Sequence, residues 1–157
     1  MEQQSEASHG IRKVLILEAD EVLKDMMIEL LGRHDFGVTA ARTLDEAVSA
    51  LSETKAIMDM IIFDADTVSS SIPNGTLTKW QAWLSKLRHP MPCIIVSVHP
   101  AAARRLRFLL SIPGLQSRPS ESIWLQKPFR NDEFLSAVRQ IPAGNQAKTD
   151  ALGTARL

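Results

Sequence analysis

The chain has 157 residues, 45% of them hydrophobic, and its 18 basic and 18 acidic side chains balance to zero formal charge. That length supports one domain burying roughly two thirds of its unfolded surface, and the charge balance gives no support to direct nucleic-acid or membrane binding. No apolar run approaches the ~20 residues of a membrane span, the polar start is unlike a signal peptide, and the single cysteine, Cys93, reads as a buried hydrophobe in a reducing, cytoplasmic compartment.

In chain order, Val14-Leu15-Ile16-Leu17 is a short apolar run that ends in Glu18-Ala19-Asp20. Asp20 is placed to cap a first helix, whose apolar positions Val22, Leu23, Met26, Met27, Leu30 and Leu31 keep helical spacing. After a turn from Gly32 to Gly37, Val38 to Ala41 reads as a weak strand, and Thr43-Leu44-Asp45-Glu46 matches a capping box for a second helix. Met60-Ile61-Ile62-Phe63 runs straight into Asp64-Ala65-Asp66 and a polar loop from Thr67 to Gly75. Such an uninterrupted apolar run fits a strand buried on both faces. Trp80, Trp83, Leu84 and Leu87 share one face of a third helix, and Cys93 to Val96 form a strand that ends at Ser97. A fourth helix follows Pro100, with Ala103, Leu106, Leu109 and Leu110 inward; a long connection from Ser111 to Ser122 leads to Ile123–Gln126, the last strand. Lys127-Pro128-Phe129 follows, then a last helix capped by Asn131, with Phe134, Leu135, Val138 and Ile141 inward and Pro142 as its stop.

Strands alternating with helices predict an α/β fold, a doubly wound five-stranded parallel sheet with helices on both faces. The flavodoxin-like strand order 2-1-3-4-5 has its switch point between strands one and three. Glu18 and Asp64 end those two strands, and Ser97 and Lys127 end strands four and five at the same edge. Ligands of open parallel sheets bind at that edge. Residues 1–11 read as a flexible N-terminus, 12–142 as the domain, and 143–157 as a disordered tail or linker start.

Those residues, taken together and in order, resemble a response-regulator receiver domain of two-component signalling. The resemblance covers about residues 12 to 141 and rests on Glu18-Ala19-Asp20, Asp64, Ser97, Trp124 and Lys127-Pro128-Phe129. It implies that Asp64 accepts a phosphoryl group from a histidine kinase or phosphotransfer protein, as a covalent carboxylate intermediate. It also implies Mg²⁺ held by Glu18, Asp64 and the carbonyl of Asp66, with Asp20 as a further candidate; Lys127 and Ser97 meet the phosphate, and Ser97 and Trp124 act as the switch. A cis Lys127-Pro128 bond, a downstream protein or effector domain, and a homodimer through helix 4, strand 5 and helix 5 complete what the resemblance implies. No other cofactor and no substrate turnover is expected of such a module.

Three departures from the family pattern bear on function. Ala19 stands where a second acid is usual, which predicts weak Mg²⁺ binding. Val98 stands where a small residue is usual, and the connection before the last strand is longer than the family leads one to expect. A degenerate pseudo-receiver that works as a phosphorylation-independent interaction module is therefore one alternative. A small flavodoxin-like or hydrolase-type enzyme using Glu18 and Asp64 is another. The four histidines show no metal-ligand spacing, Arg104, Arg105 and Arg107 read as a solvated basic side of the fourth helix, and no glycine-rich phosphate loop is present.

Overall fold

The computed structural model describes residues 11–53, 58–70, 92–104 and 122–141, with 78 and 82 besides. Its strands are β1 (Arg12–Leu17), β2 (Phe36–Ala41), β3 (Met60–Asp64), β4 (Cys93–Ser97) and β5 (Ser122–Gln126). The helices are α1 (Glu21–Arg33), α2 (Leu44–Glu53), α3 (Ala65–Ser70), a helical start at 100–104 (α4), and α5 (Asn131–Gln140). The five strands are parallel and ordered β2-β1-β3-β4-β5, the doubly wound order expected from the sequence.

Period-two alternation of side chains splits the sheet's apolar residues into two cores. Leu15, Leu17, Ile61, Phe63, Cys93 and Ile95 face α2 and α3, where Leu44, Ala47, Leu51 and Val68 complete the layer. Val14, Ile16, Met60, Ile62, Ile94 and Val96 face α1 and α5, packing on Met27, Leu31, Phe134, Ala137 and Val138. Both faces of β1, β3 and β4 are thus covered, which is why those strands are continuous apolar runs. Edge strand β2 is only half-buried for most of its length, in keeping with its weak signal.

Several local expectations change. Asp20 does cap α1, accepting the Leu23 N–H at 2.9 Å, but Val22 points out and is 82% exposed. It lies about 140° around the helix from Met27, off the buried stripe. The turn after α1 is tighter than Gly32 to Gly37: the helix runs to Arg33, Asp35 takes a φ of 63°, and β2 starts at Phe36. Asparagine and aspartate tolerate that left-handed conformation better than most residues. The cap of α5 is Arg130 rather than Asn131, because the Glu133 carboxylate accepts the Arg130 N–H at 2.8 Å. Thr67 does not open a loop either; it lies in α3, which starts directly after Asp64. Trp80, Trp83, Leu106, Leu109, Leu110, Pro142, Arg105, Arg107, His9 and His89 fall outside the described residues.

Candidate functional site at the carboxyl edge of the sheet

The register sets the site. Leu17 pairs with Phe63, so Glu18 and Asp64 leave adjacent strands side by side. Ser97 pairs with Gln126, and the Lys127 N–H donates to the Ser97 carbonyl at 2.8 Å, bringing Lys127 to the same edge. Among the described residues the buried polar or charged side chains are Glu18, Asp64, Thr67 and Ser97. All four stand at this edge. Burying such groups is unfavourable unless they are paired, and here they are.

Lys127 is the centre of the pairing. Its Nζ lies 2.9 Å from Glu18 Oε2 and 3.1 Å from Asp64 Oδ1. Glu18 Oε1 accepts the Asp20 N–H at 3.0 Å. Asp64 Oδ2 accepts from the Thr67 N–H at 3.0 Å and from the Thr67 hydroxyl at 2.6 Å. That hydroxyl in turn accepts the Ala19 N–H at 3.0 Å. Two carboxylates, one ammonium and one hydroxyl therefore form a continuous network between the ends of β1, β3 and β5.

Burial pushes the Glu18 carboxyl above its ordinary range, and the charge of Asp64 adds to the rise; the bonds from Asp20 and Lys127 offset part of it. Burial alone would lower the Lys127 ammonium, but its bond to Glu18 and the charge of Asp64 outweigh that and hold its pKa above the ordinary value. With Glu18 and Asp64 both ionised the trio carries a net charge of −1.

Not every sequence candidate joins the network. The Ser97 hydroxyl is buried at the edge but donates to the His99 carbonyl at 2.8 Å and accepts the His99 N–H at 3.1 Å. The Asp20 carboxylate is committed to capping α1. Asp66 lies in the first turn of α3, where its N–H stands 3.4 Å from Asp64 Oδ1. Trp124 is on β5 and 39% exposed, open to the solvent side. The Lys127-Pro128 peptide bond is cis, as the resemblance implies. Val98, Leu23, Met26, Pro128 and Phe129 line a groove of about 370 Å³ whose polar end is Lys127. Thr67 is the site residue that sequence reasoning missed. Its signal was present: a hydroxyl three residues after Asp64 is at capping distance from that carboxylate.

The sheet order, the cis Lys127-Pro128 bond and the Glu18–Lys127–Asp64 trio at the carboxyl edge all point one way, and comparison with solved structures decides it. The chain is similar to the chemotaxis response regulator CheY4 of Vibrio cholerae, with a TM-score of 0.63, 18% identity, and 85% of this chain and 100% of that one covered. It has the receiver-domain fold. A receiver protein of Sinorhizobium medicae superposes with a TM-score of 0.60 at 22% identity over 83% of this chain and 93% of that one. The HemR receiver domain of Leptospira biflexa gives 0.57 at 22% over 82% and 92%. No family model and no curated protein matches the sequence.

The receiver fold implies Mg²⁺. Among the described residues no group of three or more His, Cys, Asp and Glu side chains is placed to hold a metal ion. The donor set is the Glu18 and Asp64 carboxylates, both also salt-bridged to Lys127. Mg²⁺ is commonly held by one or two carboxylates with water and phosphate oxygens completing the octahedron, so this pair fits the ion as a sparse site. No helix among the described residues is long and apolar enough to cross a membrane.

Proposed function

We propose that this receiver-fold domain is a phosphoacceptor switch of a two-component phosphorelay, with Asp64 as the acceptor, and not a substrate-turnover enzyme. One observation carries this reading: Asp64, at the carboxyl end of β3, has the Lys127 ammonium 3.1 Å from Oδ1, where a transferred phosphoryl group would meet a positive charge. Bound Mg²⁺ would neutralise phosphoryl oxygens, with Glu18 and Asp64 as its protein ligands. Lys127 orients the group, and Ser97 reaches it by giving up its bonds to residue 99. Rearrangement of Ser97 biases the adjoining face, including exposed Trp124, between two populations. A histidine kinase or phosphotransfer protein would supply the group, and a downstream protein or effector domain would read the face. Incubation with an acyl phosphate should add one phosphoryl group per chain; a chain that stays unmodified under conditions that label other receivers sinks this reading.

The engagement of the Ser97 hydroxyl with residue 99 and the absence of an acid at position 19 favour a second reading, a constitutive interaction module. Tryptophan fluorescence separates the two. In a variant with Trp80 and Trp83 replaced by Phe, leaving Trp124 of the chain's three tryptophans, beryllofluoride and Mg²⁺ together should change the emission while neither alone does. A spectrum indifferent to the combination supports the constitutive module.

The sparse donor set gives a further expected result. Ala19 is exposed and adjoins Glu18, so Ala19→Asp adds a carboxylate at the end of β1. Mg²⁺ affinity should rise about tenfold, ~1.4 kcal/mol. Stability without metal should fall, because a third nearby carboxylate adds repulsion. Calorimetric titration of both proteins decides it: equal affinities would mean that another group already supplies the ligand.

A further inference from the structure

Thr67 is the buried polar residue of the edge to which the phosphoacceptor reading gives no part. Its bonds to Asp64 are asymmetric. Oδ2 takes both Thr67 donors, the hydroxyl at 2.6 Å and the N–H at 3.0 Å, whereas Oδ1 meets Lys127 Nζ at 3.1 Å and the Asp66 N–H at a long 3.4 Å. A hydroxyl–carboxylate bond of that length is charge-assisted and strong. It withdraws lone-pair density from Oδ2 and fixes the rotation of the carboxylate about its last bond. The hydroxyl is itself held by the Ala19 N–H at 3.0 Å, so the turn after β1 anchors it through main chain.

Given Asp64 as the phosphoacceptor, we propose that Thr67 is its positioning residue: it ties down Oδ2 and leaves Oδ1, beside Lys127, as the oxygen that attacks phosphorus. With an acyl phosphate, an Oδ1 lone pair forms the new O–P bond while the bond from phosphorus to the donor's bridging oxygen breaks. The donor leaves as a carboxylate with that electron pair, and no proton is transferred. Lys127 stands on the side where the phosphoryl oxygens arrive. The turn that lacks an acid at position 19 thus still organises the acceptor, through its backbone.

The test compares Thr67→Val, which keeps the shape and loses the hydroxyl, with Thr67→Ser, which keeps the hydroxyl. The rate of labelling by a small acyl phosphate should fall about tenfold in Thr67→Val, the scale of a lost charge-assisted bond and a misaligned nucleophile. Thr67→Ser should restore it to within about twofold. Labelling of Thr67→Val at the natural rate overturns the proposal, and so do equal losses in both variants, which would mark a packing role. A natural chain that is not labelled at all overturns the phosphoacceptor reading, and this one with it. Should Thr67→Val fail to fold, the natural chain carries the test by nuclear magnetic resonance. A Thr67 hydroxyl proton slow to exchange with water supports the bridge, and one in fast exchange overturns it.

Discussion

Lys127→Met should lower the stability of the domain by about 3–5 kcal/mol at neutral pH, the range for removing one partner of a buried ion pair. Glu18 and Asp64 are 1% and 5% exposed, and both depend on the same Nζ, at 2.9 and 3.1 Å. Methionine fills most of the lysine volume, so the loss is electrostatic and not a cavity. It should also depend on pH in a definite direction. Burial and the charge of Asp64 already hold the Glu18 carboxyl above its ordinary range, and without Lys127 it rises further. In the window between the unfolded and the folded pKa, the folded state binds more protons than the unfolded one, so stability falls as pH rises through it. The deficit of the variant is then fully present above the folded pKa and closes as pH falls toward the unfolded value. The natural chain has a second loss at the other end: Lys127, raised in the folded state, contributes stability that is complete below its unfolded pKa and disappears as pH climbs through the folded one. Urea unfolding of both proteins across this range is the measurement. A deficit under about 1 kcal/mol, or one that does not shrink on acidification, would show that the trio behaves as a solvated surface cluster.

The parts legible in the sequence are those where one physical demand dominates. Burial on both faces makes β1, β3 and β4 continuous apolar runs, so Glu18, Asp64 and Ser97 could be placed at strand ends from sequence alone. The N-cap at Asp20 was legible because its side chain answers a local backbone need. What was not legible depends on contacts distant in sequence or on competition between neighbours. Asn131 is the better capping residue by type, yet Glu133 reaches back to the Arg130 N–H and moves the helix start. Val22 matched the helical spacing by type, but Met27 and Leu31 set which stripe faces the sheet. Ser97 was placed at the edge by its strand, but the bonds its hydroxyl makes with residue 99 depend on the turn after β4, which no spacing specifies. Thr67 bonds to Ala19, 48 positions away, and no local pattern specifies that.

Asp64→Asn should abolish covalent labelling by an acyl phosphate, because the amide oxygen is a far weaker nucleophile than a carboxylate and no other carboxylate among the described residues shares the geometry of Asp64. Glu18 is the nearest rival, and it is held at both oxygens, by Lys127 at 2.9 Å and by the Asp20 N–H at 3.0 Å. The mass gain and its acid-labile character should vanish together. From the sequence, this substitution looks harmless to stability, since it removes one charge from an acidic cluster. The structure reverses that expectation. Asp64 accepts from donors on both sides, Lys127 at Oδ1 and the Thr67 N–H and hydroxyl at Oδ2. An amide has one acceptor oxygen and one donor nitrogen, so it can satisfy one side and must confront the other. Relief of the repulsion between Asp64 and Glu18 offsets part of the loss, leaving a net destabilisation of about 1 kcal/mol. Intact mass and thermal unfolding on the same two samples read both effects. Labelling that persists in Asp64→Asn removes Asp64 from the role of acceptor, and a midpoint at or above that of the natural chain means that the Thr67 and Lys127 bonds contribute less than their short distances suggest.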